Sequence, residues 1–241
     1  IFSMKHFHCS WVHRRRMVVA LFSVCLLSSL PFLNGQSFRH TAAAANISGS
    51  YTTLNNALTN AAPNKILIVC PVQATSADRR NPSGLGVEYR TNRWTIFNQD
   101  GLTMPVGAKY NILAVPASGR AFTHTAVSSS IPAATRYVTT LDHPFLNNNL
   151  DAEFIITQVR SGGSPANPHP VGIRYNTMGQ RWQIVNLDSA AMPVNAKFNL
   201  VIGAETFRFS VGSPSTAPIA NGSLPTVSAG STANDYAFIT P

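Results

Sequence analysis

Cysteine is nearly absent from this chain. Of three in 241 residues, Cys9 and Cys25 fall in the first 36 positions and Cys70 alone follows. The remainder therefore has no internal disulfide to rely on, and its stability must come from burial. Cys70 lies in the apolar run Ile66-Leu67-Ile68-Val69-Cys70, where it reads as a small buried hydrophobe. Charge is scarce too, at 11% of residues. Lys5, Arg14, Arg15 and Arg16 account for four of the 18 basic residues, and none of the nine acidic ones precedes Ser37. This leaves +5 of the total +9 for the rest of the chain. Past residue 36 there is no basic run, which argues against nucleic acid as a partner. The residual bias favours weak attraction to polyanions such as acidic polysaccharide. Also missing are G-x-S-x-G, H-E-x-x-H, paired cysteines and a phosphate loop. We therefore expect no catalytic residues, no metal centre, no cofactor and no enzymatic activity.

What is present begins with an export signal. Met4 is the first plausible start. The four basic residues precede an apolar run of about 14 residues, Met17 to Leu30. A membrane span needs roughly 20, so residues 1–36 read as upstream residues plus a signal peptide cleaved near Gly35, with no span in the mature chain. The expected location is secreted or cell-surface.

The rest is a repeat. Trp94-Thr95-Ile96-Phe97-Asn98-Gln99-Asp100, continued by Met104-Pro105-Val106-Gly107-Ala108-Lys109-Tyr110-Asn111, returns as Trp182-Gln183-Ile184-Val185-Asn186-Leu187-Asp188, continued by Met192-Pro193-Val194-Asn195-Ala196-Lys197-Phe198-Asn199. Each unit opens with a short motif: Phe38-Arg39-His40-Thr41-Ala42, Phe122-Thr123-His124-Thr125-Ala126 and a worn third, Phe207-Arg208-Phe209-Ser210-Val211. The openings are about 85 residues apart, a period suited to a string of small domains rather than a thin solenoid. The β-branched Tyr51 to Leu54 and Val138 to Leu141 read as strands, as do the apolar Lys65 to Cys70 and Glu153 to Thr157. The Gly-, Pro- and Ser-rich stretches 76–83 and 160–170 read as variable loops. We expect unit 1 over 37–117, unit 2 over 118–204, and the start of a truncated third over 205–241.

With Thr91-Asn92 as a two-residue turn, Tyr89 faces Trp94 and Val87 faces Ile96. Strand alternation then puts Val87, Tyr89, Trp94 and Ile96 on one face, and Glu88, Arg90, Arg93 and Thr95 on the other. Unit 2 sorts alike, with Ile173, Tyr175, Trp182 and Ile184 opposed to Arg174, Asn176, Arg181 and Gln183. Sharing a face with three large apolar residues makes each tryptophan a core residue rather than a sugar-stacking platform. The other face is expected to be solvated, and Arg90, Arg93, Arg174 and Arg181 on it are the candidate polyanion or glycan contacts. Asn98, Asp100, Asn186 and Asp188 are expected to cap turns, with a calcium site as the alternative use of their oxygens. His40 and His124 recur but gather no partner ligands, so they read as hydrogen-bonded histidines.

These motifs resemble a tandem domain of unassigned function found in secreted bacterial proteins. The shared features are the F-x-H-T-A opening, the middle motif at Gly86 to Tyr89 and Val171 to Tyr175, and the Trp motif through Asn111 and Asn199. The resemblance implies no activity. Five or six strands per unit and no strong helix lead us to expect an all-β fold of tandem small antiparallel sandwiches or barrels, preceded by a signal-peptide helix. The expected function is a non-enzymatic structural or adhesive module. The alternative is a carbohydrate-binding module of a larger secreted enzyme. Expected partners are surface or extracellular polysaccharide and neighbouring repeat units.

Overall fold

A computed structural model describes residues 35–73 and 79–203. The expected export segment up to residue 34 and the expected third unit lie outside the described residues. No helix among them is long and apolar enough to cross a membrane.

The described chain is all-β apart from two short 3-10 turns. Unit 1 contains β1 (Gln36–Thr41), β2 (Ile47–Ser48), β3 (Tyr51–Thr53), β4 (Lys65–Val72), β5 (Leu85–Arg90), β6 (Arg93–Asn98) and β7 (Lys109–Pro116). Unit 2 contains β8 (Ala121–Thr125), β9 (Val138–Thr140), β10 (Phe154–Arg160), β11 (Val171–Asn176), β12 (Arg181–Asn186) and β13 (Lys197–Ile202). Each unit is an open two-layer sandwich. One layer joins the opening, closing and apolar strands, as β1-β7-β4 or β8-β13-β10. The other carries the Trp hairpin, as β3-β6-β5 or β9-β12-β11.

The hairpin register is the one expected from the Thr91-Asn92 turn. Tyr89 pairs with Trp94, Glu88 with Thr95 and Val87 with Ile96. Both turn residues have positive φ, 48° and 61°, the geometry that lets a two-residue loop follow the twist of its strands. The core of unit 1 gathers Leu54, Leu67, Val87, Trp94, Ile96, Tyr110 and Ile112. Its counterpart in unit 2 gathers Leu141, Phe154, Ile156, Trp182, Ile184, Phe198 and Leu200.

The two units are not separate bodies. β5 of unit 1 pairs with β10 of unit 2 in parallel, Val87 against Val159 and Glu88 against Arg160. This pairing fuses the Trp-hairpin layer of one unit to the opening layer of the next in a single seven-stranded sheet, β2-β3-β6-β5-β10-β13-β8. A third apolar cluster lies between the units. Ile66, Ile68, Leu113 and Val115 of unit 1 meet Ala121, Ile155 and Val201 of unit 2. β4 and β10 therefore have apolar residues on both faces, which explains their continuous apolar sequences.

Side chains close the free edge of β4. The amide of Val69 donates to Thr157 Oγ1 at 3.0 Å, and Asn199 Nδ2 donates to the carbonyl of Leu67 at 3.1 Å. Two backbone groups that would otherwise template a further strand are thereby satisfied.

Comparing the two copies shows what the joint covers. Val87 is fully buried, whereas its counterpart Ile173, on the edge strand β11, is 37% exposed. Gln99 is 7% exposed and its counterpart Leu187 is 57% exposed. Gly86, opposite Phe97, must lack a side chain, because a Cβ there would lie 2.5 Å from the Phe97 ring.

Candidate functional site

The tryptophans lie inside. Trp94 is 4% exposed and Trp182 9%. Each indole N–H donates to a loop carbonyl, Trp94 to Ala62 at 2.9 Å and Trp182 to Asn149 at 2.8 Å. Each ring packs edge-on against the facing tyrosine, with centroids 5.5 Å apart for Tyr89–Trp94 and 5.3 Å for Tyr175–Trp182. The donor is satisfied and the ring faces are enclosed, so neither indole offers a platform to a ligand.

The outer face of the hairpins differs from the expected solvated surface. Thr95 is 5% exposed and Gln183 3%, and Phe97 on the same face is also buried. The cover comes from the arginines and their neighbours. Arg90 lies 4.4 Å over the Tyr51 ring, and Arg160 lies 5.4 Å over Phe97 while donating to Tyr51 Oη at 3.0 Å. Arg174 donates to Gln183 Oε1 at 2.9 Å and lies 5.5 Å over Tyr137. Long stems spread over an apolar strand face keep their charged heads at the rim. Arg93 donates to Asn55 at 2.8 Å, and Arg181 lies 3.7 Å from Asp142. The four arginines are thus divided between two sheets, each in contact with its own neighbours. Beside Arg93 is an open depression of about 400 Å³, walled by Asn46, Ser48, Thr53 and Asn55.

Asn98, Asp100, Asn186 and Asp188 all hold turns. Asp100 Oδ1 accepts from Leu102 N–H at 3.0 Å, and Asp188 Oδ1 from Ala190 N–H at 3.1 Å. Asn98 donates to the Leu102 carbonyl and Asn186 to that of Ala190. The Ala190 amide, then the imidazole of His169 at 2.7 Å, hold the Asp188 carboxyl below its usual range. Among the described residues, no three His, Cys, Asp or Glu side chains converge as metal ligands do.

Sequence reasoning missed the partners of Asn98 and Asn186. Asn81 is buried and donates to Asn98 Oδ1 at 2.8 Å and to Tyr110 Oη at 2.8 Å. Asn167 donates to Asn186 Oδ1 at 2.8 Å. Each asparagine pins its variable loop to the core. The signal was the Asn-Pro pair at Asn81-Pro82 and Asn167-Pro168, which occurs once per unit inside a loop. Burial pushes the Tyr110 hydroxyl up to about 12.

The recurring histidines are structural donors. His40 Nε2 lies 2.8 Å from Thr52 Oγ1, whose own proton goes to Asn46 Oδ1. Thr52 must therefore accept from His40 Nε2–H. In unit 2, His124 Nε2 lies 2.8 Å from Thr139 Oγ1, and Ser130 takes the place of Asn46. Ser130 gives its proton to the Val127 carbonyl, so Thr139 donates to Ser130 and again accepts from histidine. Both imidazoles are neutral donors, and burial pushes each down to about 4.

Of the two described units, unit 2 alone carries one surface feature. Phe145 is 41% exposed, with the Arg120 guanidinium 4.3 Å over its ring. His143 is tilted against Phe145 at 5.6 Å and stacks on Phe122 at 4.2 Å, 11° from parallel. A self-capped turn presents these rings. Asn147 Oδ1 accepts from the His143 amide at 3.1 Å, and the amides of Leu146 and Asn147 return to the His143 carbonyl.

Fold and site together define a double β-sandwich built from two fused copies of one unit. The recurring tryptophans and asparagine pairs lie in the interior, whereas Val106 and Val194 of the repeated motif are exposed in both copies. The sequence matches a domain of unknown function, DUF7452, twice, over residues 19–113 and 86–202. The two matches together span more than half of the chain, and the protein belongs to this family. The first match begins inside the segment assigned to the export signal. No curated protein and no solved structure matches the chain.

Proposed function

We propose that the protein is a non-enzymatic, secreted or cell-surface module with a structural or adhesive role. The observation that carries this reading is the direction in which the repeated residues point. The tryptophans, the Asn pairs, the His–Thr networks and the Asp-capped turns occur once per unit, and all are engaged in holding it together. Duplication has copied a scaffold rather than a reaction centre. Fusion of the copies through one sheet supplies a stiff body with surfaces on two units, which suits load-bearing or contact with a repetitive polymer. Export follows from the N-terminal basic and apolar segment.

The test is retention of surface or extracellular polysaccharide on beads carrying the full chain under flow. Retention with no change in polymer length is the expected result. New reducing ends would remove the non-enzymatic reading, and failure to retain any polymer would remove the adhesive one. The second reading, a carbohydrate-binding module of a larger secreted enzyme, is favoured by the exposed ring of Phe145 on unit 2. Selective submicromolar binding of one sugar would favour it over the first.

A further inference from the structure

From the Arg120–Phe145–His143–Phe122 stack on unit 2 we infer a contact site for acidic polysaccharide, with Phe145 and Arg120 as its principal groups. This inference rests on the polysaccharide contact that the adhesive reading and the carbohydrate-binding reading share, and names the residues and ligand class for it. The argument starts from the two copies read against each other. The turn bonds align Asn56 and Asn60 with His143 and Asn147, since each pair closes the same turn from side-chain oxygen to amide. Leu58 therefore stands where Phe145 does. Strand register aligns Gln36, paired with Ala114, one position before Ser37, and so with Arg120, which precedes Ala121. In unit 1, Leu58 is partly buried against the core. In unit 2 the leucine is a phenylalanine turned to solvent, the glutamine is an arginine lying over it, and the asparagine is a histidine tilted against it and stacked on Phe122.

The fold does not require these three changes. Unit 1 closes the same turn without them, and exposing a large aromatic ring forfeits burial that leucine at this place obtains. Together they assemble the groups that recognise an acidic sugar. The part of the Phe145 ring that Arg120 and His143 leave open offers apolar contact to the C–H groups of a pyranose. A guanidinium matches a carboxylate with two parallel N–H donors. His143 contributes a neutral donor. Its Nδ1 lies 3.4 Å from the Phe145 amide and accepts from it, which leaves the proton on Nε2. The carboxylate of Asp142 accepts from Asn147 Nδ2 at 2.7 Å and lies 3.7 Å from Arg181. The self-capped turn holds the ring in place before any ligand arrives, which lowers the ordering cost of binding.

The experiment is titration calorimetry of the full chain with a polyuronate oligomer and with its fully methyl-esterified form. Two variants are read alongside: Phe145→Leu, which installs the residue that unit 1 carries and so keeps the turn folded, and Arg120→Gln, which does the same for the arginine. The expected result is binding of the polyuronate, at least tenfold weaker binding of the ester, and at least tenfold weaker binding in each variant, with melting temperatures unchanged. If the polyuronate binds and both variants bind it equally well, the site assignment is overturned while the adhesive reading stands. If the wild-type chain binds the neutral ester as tightly as the acid, the assigned ligand class is wrong. Retention of other polysaccharides on the beads, with no polyuronate binding in the calorimeter, also overturns the site and leaves the broader reading in place.

Discussion

One tryptophan and one histidine recur inside each unit, and both make contributions that can be measured. Trp94 fills the sandwich interior, and its N–H is already paired with the Ala62 carbonyl. We predict that Trp94→Ala costs about 3–5 kcal/mol, through the cavity and the orphaned carbonyl together. Trp94→Phe should cost less, since most of the volume remains. Chemical denaturation of both variants would check this, and an unchanged midpoint for the alanine variant would return the indole to the surface. His40 and His124 carry the pH dependence. Their folded pKa values lie near 4, below the ordinary 6.5, so the unfolded chain binds more protons at intermediate pH. The contribution of these histidines should then fall as pH drops from about 6.5 towards 4 and level off below that. Both rings keep some solvent contact, so we expect on the order of 1–2 kcal/mol per histidine. Melting temperatures across that range, for wild type and for His40→Gln with His124→Gln, would show the slope and its loss. The core role of the tryptophans was legible in the sequence because alternation in a hairpin sets the face. The covering role of the arginines was not, because alternation does not say what lies across a sheet from a long side chain.

At the level of strands, the same sequence pattern meets two fates. β5 and β11 carry equivalent residues, yet among the described residues β5 is interior to a sheet and β11 is an edge. The difference lies in β10, which pairs with β5 at Gln158, Val159 and Arg160. Across that joint Glu88 faces Arg160, and at the position of Glu88 the open strand β11 carries Arg174. A strand bearing arginine at that place would meet like charge on β11. The capped edge of β4 is a second case. Asn199 bonds the Leu67 carbonyl and also accepts from Thr123 Oγ1 at 2.8 Å. Asn199→Ala removes both bonds inside a buried joint and should cost about 1–3 kcal/mol. Amide exchange should rise along β4 in that variant, and unaltered protection there would show that the cap is not needed. Strand identities and the hairpin register were readable from alternation and turn chemistry. The parallel joint was not, because pairing between distant strands leaves no local period.

Across the whole molecule, the shared sheet and the cluster between units make the two copies depend on each other. Ile66, Ile68 and Val115 would be uncovered in an isolated unit 1, as would Ala121, Ile155 and Val201 in unit 2. We predict one cooperative thermal transition for both units, with calorimetric and van't Hoff enthalpies equal. Two resolved transitions would show instead that each sandwich is stable by itself. The site of acidic-glycan contact belongs to this scale as well, since it sits on one copy and not on the other.

Residue order was enough to establish that this is a duplicated all-β unit with its indoles inside, because side-chain alternation, turn residues and repetition are local properties of a chain. How the copies are joined, and which exposed rings and cations come together, depended on the folded chain. Those contacts link residues about 25 to 130 positions apart in sequence, whose closeness is set by sheet packing and leaves no mark on neighbouring residues.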